Sequence, residues 1–201
     1  MIMDKILLFN KWDTSGITIN DPALKEYINL KPIFVPRTGG RNVKIKFHKS
    51  KNNIVERLMN KLMVPGHRGK EHRLSSGICT GKSLTVYRIV KDALEIIEKQ
   101  TKENPIKVLV KAVENAAPRE EITSIEYGGA RYPQSVDCSP QRRVDIALKM
   151  MAQGAYAQSF RGKKKAEECL AEEIIKAYNN DNKSAAIAKK LELERQAEAS
   201  R

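Results

Sequence analysis

Residues 121–138 read EITSIEYGGARYPQSVDC and carry the one clear β signal of the chain, between long stretches of helical periodicity. Ile122 and Ile125 to Tyr127 predict one strand, Gly128-Gly129 a two-residue turn able to take positive φ, and Ala130 to Val136 the return strand. Pro133 has no N–H to donate, which confines the return strand to an edge or a bulge. A two-stranded ribbon is seldom stable alone, so this one either leans on helices or projects towards a partner. The fold class that follows is mainly α: a bundle of about six helices with an inserted two-stranded β-hairpin at about 121–138 and a basic N-terminal arm.

Downstream, Ser139-Pro140 predicts a capped helix start, with Val144, Ala147, Leu148, Met151 and Ala155 on the inner face. Arg142 and Arg143 stand in its first turn, where the helix dipole disfavours cations, and an external anion would explain them. A tight basic turn, SFRGKKK from Ser159 to Lys165, precedes a helix with Ala166, Leu170, Ile174, Ala177 and Tyr178 on one face. A last helix, rich in Ala, Lys and Glu, has a thin apolar face. Upstream, Asn104-Pro105 caps a helix with Ile106, Leu109, Val110 and Val113 facing inward. Before it, Thr80 or Gly81 opens a long helix whose seam is Leu84, Tyr87, Val90, Leu94 and Ile97. Ile54, Leu58, Met59, Leu62 and Met63 mark another helix, which Pro65-Gly66 ends.

The first twenty residues hold the single tryptophan, Trp12, with little periodicity, and are expected to be an extension. Asp21-Pro22 predicts a short helix to about Leu30. Pro36 to Lys51, PRTGGRNVKIKFHKSK, is basic throughout, without an acid or a wide apolar face. It is expected to be an extended arm that orders on its partner. The domain reading is therefore 1–51 for the extension and arm, and 52–201 for the helical domain.

The chain has 201 residues and a formal net charge of +13. From Lys31 to Lys91 there are 15 basic residues and two acids, Glu56 and Glu71, so this segment carries the whole excess. A merely solvated lysine-rich face interleaves glutamates; this one points to docking on an anion. No signal peptide and no run of 18 apolar residues is apparent, so a soluble protein in the cytoplasm is expected, without a membrane partner.

GICTGKS, Gly77 to Ser83, ends like a nucleotide-binding P-loop but has three residues where that loop needs four, and a charged stretch rather than a strand before it. The alternative is a helix start at Gly81 and Lys82 that suits any phosphate, including one in a nucleic-acid backbone. Cys79, Cys138 and Cys169 form no CxxC pair, as expected of free thiols in a reducing compartment. His67, His72 and Cys79 match no zinc spacing. No nucleophile–base pattern is present, so neither catalysis, metal nor cofactor is expected.

Several stretches in order carry a resemblance: NKLMVPG from Asn60, GKSLTVYRIVKDALEII from Gly81, ENPIKVLVKAVENAAPRE from Glu103, GGARYPQSVDCSPQRRVDIAL from Gly128, QSFRGKKKAEECLAEEIIKA from Gln158, and KKLELER from Lys189. From about Pro32 to Arg201 the chain resembles the seventh small-subunit ribosomal protein family, in its archaeal and eukaryotic branch. HRGKEHRLSSGICT, between Gly66 and Gly81, is longer than the short turn of bacterial relatives.

The resemblance implies a non-enzymatic rRNA-binding protein that assembles early onto the 3′ major (head) domain of small-subunit rRNA. It implies neighbouring head and platform proteins as partners, and a hairpin tip at Gly128, Gly129, Ala130 and Arg131 near mRNA and exit-site tRNA. The family's basic residues after the hairpin fall on Arg142 and Arg143, and its glycine-lysine at the long helix on Gly81 and Lys82.

RNA helices offer proteins phosphates, 2′-hydroxyls and shape, so Lys and Arg spread over arm, loops and helix starts are the expected contacts. They are Arg37, Arg41, Lys44, Lys46 and Lys49 on the arm, and Arg68, Lys70 and Arg73 in the loop before Gly81. On the hairpin and beyond they are Arg131, Arg142, Arg143, Arg161, Lys163, Lys164 and Lys165. A helical DNA-binding regulator is the alternative, but it concentrates charge on one recognition helix.

Overall fold

A computed structural model describes residues 6–40, 44–66, 81–160 and 162–201. Among the described residues six α-helices occur in the order α1 (Ile54–Leu62), α2 (Ser83–Thr101), α3 (Pro105–Ala116), α4 (Pro140–Ser159), α5 (Ala166–Tyr178) and α6 (Ala185–Glu198). The strands β1 (Glu120–Tyr127) and β2 (Ala130–Asp137) lie between α3 and α4. The mainly helical bundle with an inserted hairpin is thus the observed architecture.

Side-chain caps define three of the helix starts. Asn53 accepts from the Val55 N–H at 3.0 Å, Asn104 from the Ile106 N–H at 3.0 Å, and Ser184 from the Ala186 N–H at 3.2 Å. Ser139 has the extended backbone of an N-cap, but its hydroxyl makes no cap bond, and Pro140 supplies the preset φ instead.

The inner faces close one core. Val144, Ala147, Leu148, Met151 and Ala155 of α4 meet Leu170, Ile174 and Ala177 of α5, with Ile106, Leu109 and Val113 of α3 and Val90, Leu94 and Ile97 of α2. The α2 seam starts two positions further along than its spacing predicts: Val86 is buried, while Leu84 is exposed in the first turn, beyond the core.

Between α4 and α6, Gly154 leaves room for Glu173, which is wholly buried. The Glu173 carboxylate accepts from the Ser184 hydroxyl at 2.8 Å and the Ala186 N–H at 3.2 Å. It satisfies the free donors at the start of α6 and so docks that helix despite its thin apolar face.

The N-terminal segment contributes to the core. Leu8, Phe9 and Trp12 are buried, Trp12 lies edge-on to Phe9 at 5.8 Å, and its indole N–H donates to Glu98 at 3.1 Å. These contacts come from turns, which have no period for sequence reading to detect. Residues 21–30 also differ from expectation: they form consecutive turns rather than a helix, with Asp21 accepting from the Ala23 N–H at 3.0 Å and Leu24 and Ile28 buried.

β1 and β2 pair antiparallel from Glu120 with Asp137 to Tyr127 with Ala130. Both turn residues have positive φ, 60° at Gly128 and 82° at Gly129, which glycine adopts without Cβ strain. Most of the ribbon stands clear of the helices, and only its base touches α6.

Candidate nucleic-acid interface

The described part of the arm is anchored at both ends. The Thr38 N–H and hydroxyl donate to the buried Glu56 carboxylate at 2.8 and 2.6 Å, and Pro36 is buried. At the other end a single 3-10 turn, His48–Lys51, brings Lys49 onto Asp145 of α4. Glu56, one of only two acids in the basic segment, is therefore a brace rather than part of a solvated face. Arg37, Lys44 and Lys46 are exposed, with no ion pair to a described residue.

Asp145 gathers Lys49, Arg57 and Lys61, with Arg57 only 4% exposed and 3.3 Å away. Burial works against the carboxylate, but the hydrogen bond from Lys49 and the charges of Lys61 and Arg57 outweigh it, so its pKa lies below the ordinary value. Burial likewise lowers the pKa of Arg57 and of Lys61 against the pull of Asp145. One carboxylate among three cations leaves a local positive excess.

Two grooves flank this cluster and share Lys49. The first, about 390 Å³, runs between Arg37 to Gly40, α1 and Ser83 at the start of α2. There Gly81 has φ 70°, exposed Lys82 stands at the N-cap without a side-chain cap bond, and the first turn of α2 has no acid. That combination of free N–H groups, helix dipole and lysine favours a phosphate. The second groove, about 510 Å³, is lined by Lys49, Lys61, Arg142, Lys149 and Lys189, against two carboxylates, Asp145 and Glu121. The two grooves thus join Arg37, Lys49 and Arg142 with three lysines that sequence reasoning missed, and Lys82 stands next to Ser83 at the edge of the first. Lys149 lies two turns after Arg142 on α4, a spacing that could have signalled it; Lys61 and Lys189 gave no such cue.

Arg142 and Arg143 differ. Arg142 is exposed and pairs with Glu121 of β1 at 2.6 Å. Arg143 is buried; it donates to Asp21 at 2.7 Å and to the Pro118 carbonyl at 3.1 Å. The anion that explains Arg143 at a helix start is thus internal, because Asp21 comes from far along the chain, invisible to local spacing.

At the hairpin tip Gly128, Gly129, Ala130 and Arg131 are exposed, and Arg131 lies 3.6 Å from Glu126. Tyr127 is 81% and Tyr132 58% exposed. In the turn before α5, Lys163 is exposed, Lys164 pairs with Glu172, and Lys165 lies 4.0 Å from Glu167. This turn is not a lining of either groove. Arg41, Arg68, Lys70, Arg73 and Arg161 lie outside the described residues, as do His67, His72, Cys79 and most of GICTGKS.

Burial and the nearby Glu121 charge push the Cys138 thiol up to about 11, and burial raises that of Cys169, which keeps both protonated. Among the described residues no three His, Cys, Asp or Glu side chains gather as a metal site, and no helix is long and apolar enough to cross a membrane.

The family model described as ribosomal protein S7p/S5e matches residues 24–201. The chain is 56% identical to the small ribosomal subunit protein uS7 of Nanoarchaeum equitans, covering 98% of this chain and 100% of that one. It is 49% identical to that of Archaeoglobus fulgidus, over 98% and 96%, and 50% identical to that of Methanococcus aeolicus, over 98% and 100%. A chain with this fold and this basic face, matched over nearly its whole length by archaeal relatives, belongs to the S7p/S5e family of small-subunit ribosomal proteins, whose members are structural rather than enzymatic.

Proposed function

We propose that this protein binds the 3′ major (head) domain of small-subunit rRNA, nucleates assembly of the head and works in the cytoplasmic ribosome beside head and platform proteins. The observation that carries the proposal is the basic face running from Arg37 and Lys49 across Lys61 to Arg142, Lys149 and Lys189. Cations on an arm, a helix start and three helix flanks suit the phosphates of folded RNA better than one DNA groove, which calls for a single recognition helix. Lys44, Lys46, Lys82, Lys163, Lys164 and Lys165 extend this phosphate-binding role. The hairpin reaches towards mRNA and exit-site tRNA, where exposed Tyr127 and Tyr132 offer rings to stack on bases and Arg131 a cation.

Filter binding of the protein to head-domain rRNA, duplex DNA and labelled ATP tests the reading. Tight, salt-dependent retention of the rRNA alone is expected; preference for duplex DNA would establish the helical regulator instead. Cross-linking on intact subunits then tests whether the tip reaches mRNA and tRNA.

A further inference from the structure

The second groove contains two features that phosphate binding leaves unexplained. Phe47 lines it with 73% of its surface exposed and with a left-handed backbone, φ 59° and ψ 3°. A bulky residue in that region is strained, and strain persists where the surroundings hold it for a purpose. Gln141, in the first turn of α4, lines the same groove with only 6% of its surface exposed. Neither its amide nitrogen nor its amide oxygen has a hydrogen-bond partner. Both atoms are closed off from solvent, and a buried amide with donor and acceptor unpaired is costly, so turning out into the groove to meet a group that supplies both would relieve the cost.

From these we infer that the groove holds a single unstacked nucleotide of the bound RNA, its base stacked on Phe47 and its edge read by the Gln141 amide. The inference rests on the proposed RNA binding and adds a site of base recognition to it. An unstacked base presents a donor beside an acceptor, the complement of a carboxamide, and adenine is the base that Gln pairs bidentately. A protein recognises RNA sequence at such splayed-out bases rather than inside helices. Lys61, Arg142, Lys149 and Lys189 line the same groove and suit the flanking phosphates. The groove, about 510 Å³, is within the range that encloses small ligands. The flat amide and the ring thus select, while the lysines hold.

The test measures affinity for head-domain rRNA and for an unrelated RNA duplex across a salt series, with wild-type protein, Phe47→Ala, Gln141→Leu and Lys149→Gln. Phe47→Ala and Gln141→Leu are each expected to weaken head-domain binding about tenfold or more, with the salt slope and the duplex affinity unchanged. Together they lose less than the product of the separate losses, because both hold one nucleotide. Lys149→Gln instead lowers the slope on both RNAs. Phe47 is exposed, so its variant folds and decides the matter even if Gln141→Leu does not fold. Unchanged affinity in Phe47→Ala overturns the inference and leaves that ring to a protein partner; equal losses on both RNAs overturn it as well. Failure of the wild type to bind head-domain rRNA overturns the function itself, an outcome distinct from binding that neither change disturbs.

Discussion

Arg142 and Arg143 are adjacent in sequence and opposite in role. Arg143→Gln leaves the partly exposed Asp21 carboxylate and the Pro118 carbonyl without their donor, and is expected to cost about 1–3 kcal/mol in a denaturant melt. Arg142→Gln removes an exposed pair and costs about 0–1 kcal/mol, but flattens the dependence of rRNA affinity on salt. Equal melting losses would show that Arg142 is as internal as its neighbour. Asp145 makes a second prediction at this scale. Its folded pKa lies below the ordinary 3.8, so the folded state binds the proton less tightly than the unfolded one. Its stabilisation is complete above the unfolded value and is lost as pH falls through the folded one. Asp145→Asn should thus destabilise the protein near neutral pH, by about 3 kcal/mol given buried Arg57, and should flatten the acid limb of stability against pH. An acid limb as steep as in the wild type would assign it to other carboxylates.

At the scale of elements, α6 is held by a polar latch more than by its apolar face. Only Ala186, Ile187 and Ala197 of that helix are buried hydrophobic residues, whereas its first turn is satisfied by Glu173 and Ser184. A Cβ at Gly154 would stand 2.8 Å from the Ala185 Cβ and 3.0 Å from the Glu173 carboxyl carbon. Gly154→Ala gains about 1 kcal/mol in helix propensity but forces α4 and α6 apart, at a cost of about 1–3 kcal/mol. A lower melting temperature is expected, with faster amide exchange in α6 than in α5. A higher melting temperature would show that the latch yields freely. The hairpin is the contrasting element: Gly128-Gly129 and the alternating residues made it legible, because its register depends on a two-residue turn. Its upper part packs on no helix, which leaves its side chains open to a partner.

At the scale of the molecule, one core joins all six helices to the N-terminal turns. Leu94→Ala, at a site 1% exposed, is expected to cost about 2–5 kcal/mol through lost burial and a cavity, while exposed Lys82→Ala costs little and acts on binding. The reverse ranking in thermal melts would refute the α2 register. Trp12→Ala should cost about 3–5 kcal/mol, because the indole packs on Phe9 and bonds Glu98 on α2. A near-neutral effect, measured by circular dichroism since the only tryptophan is gone, would restore residues 1–20 to the status of a detachable extension.

The sequence by itself determined the helices that have caps and a 3.6-residue stripe, the hairpin, the concentration of charge in 31–91 and, through ordered motifs, the family. These are local or compositional properties, readable because neighbouring residues enforce them. Only the tertiary structure decided that Trp12 belongs to the core, that Arg143 is neutralised by Asp21, and that Glu56 pins the arm. It alone placed Lys61, Lys149 and Lys189 in one groove with Phe47 and Gln141. The physical reason is that each of these depends on contacts between residues distant in the chain. Their geometry is fixed by how helices pack and turns fold back, and it leaves no period or spacing in the sequence.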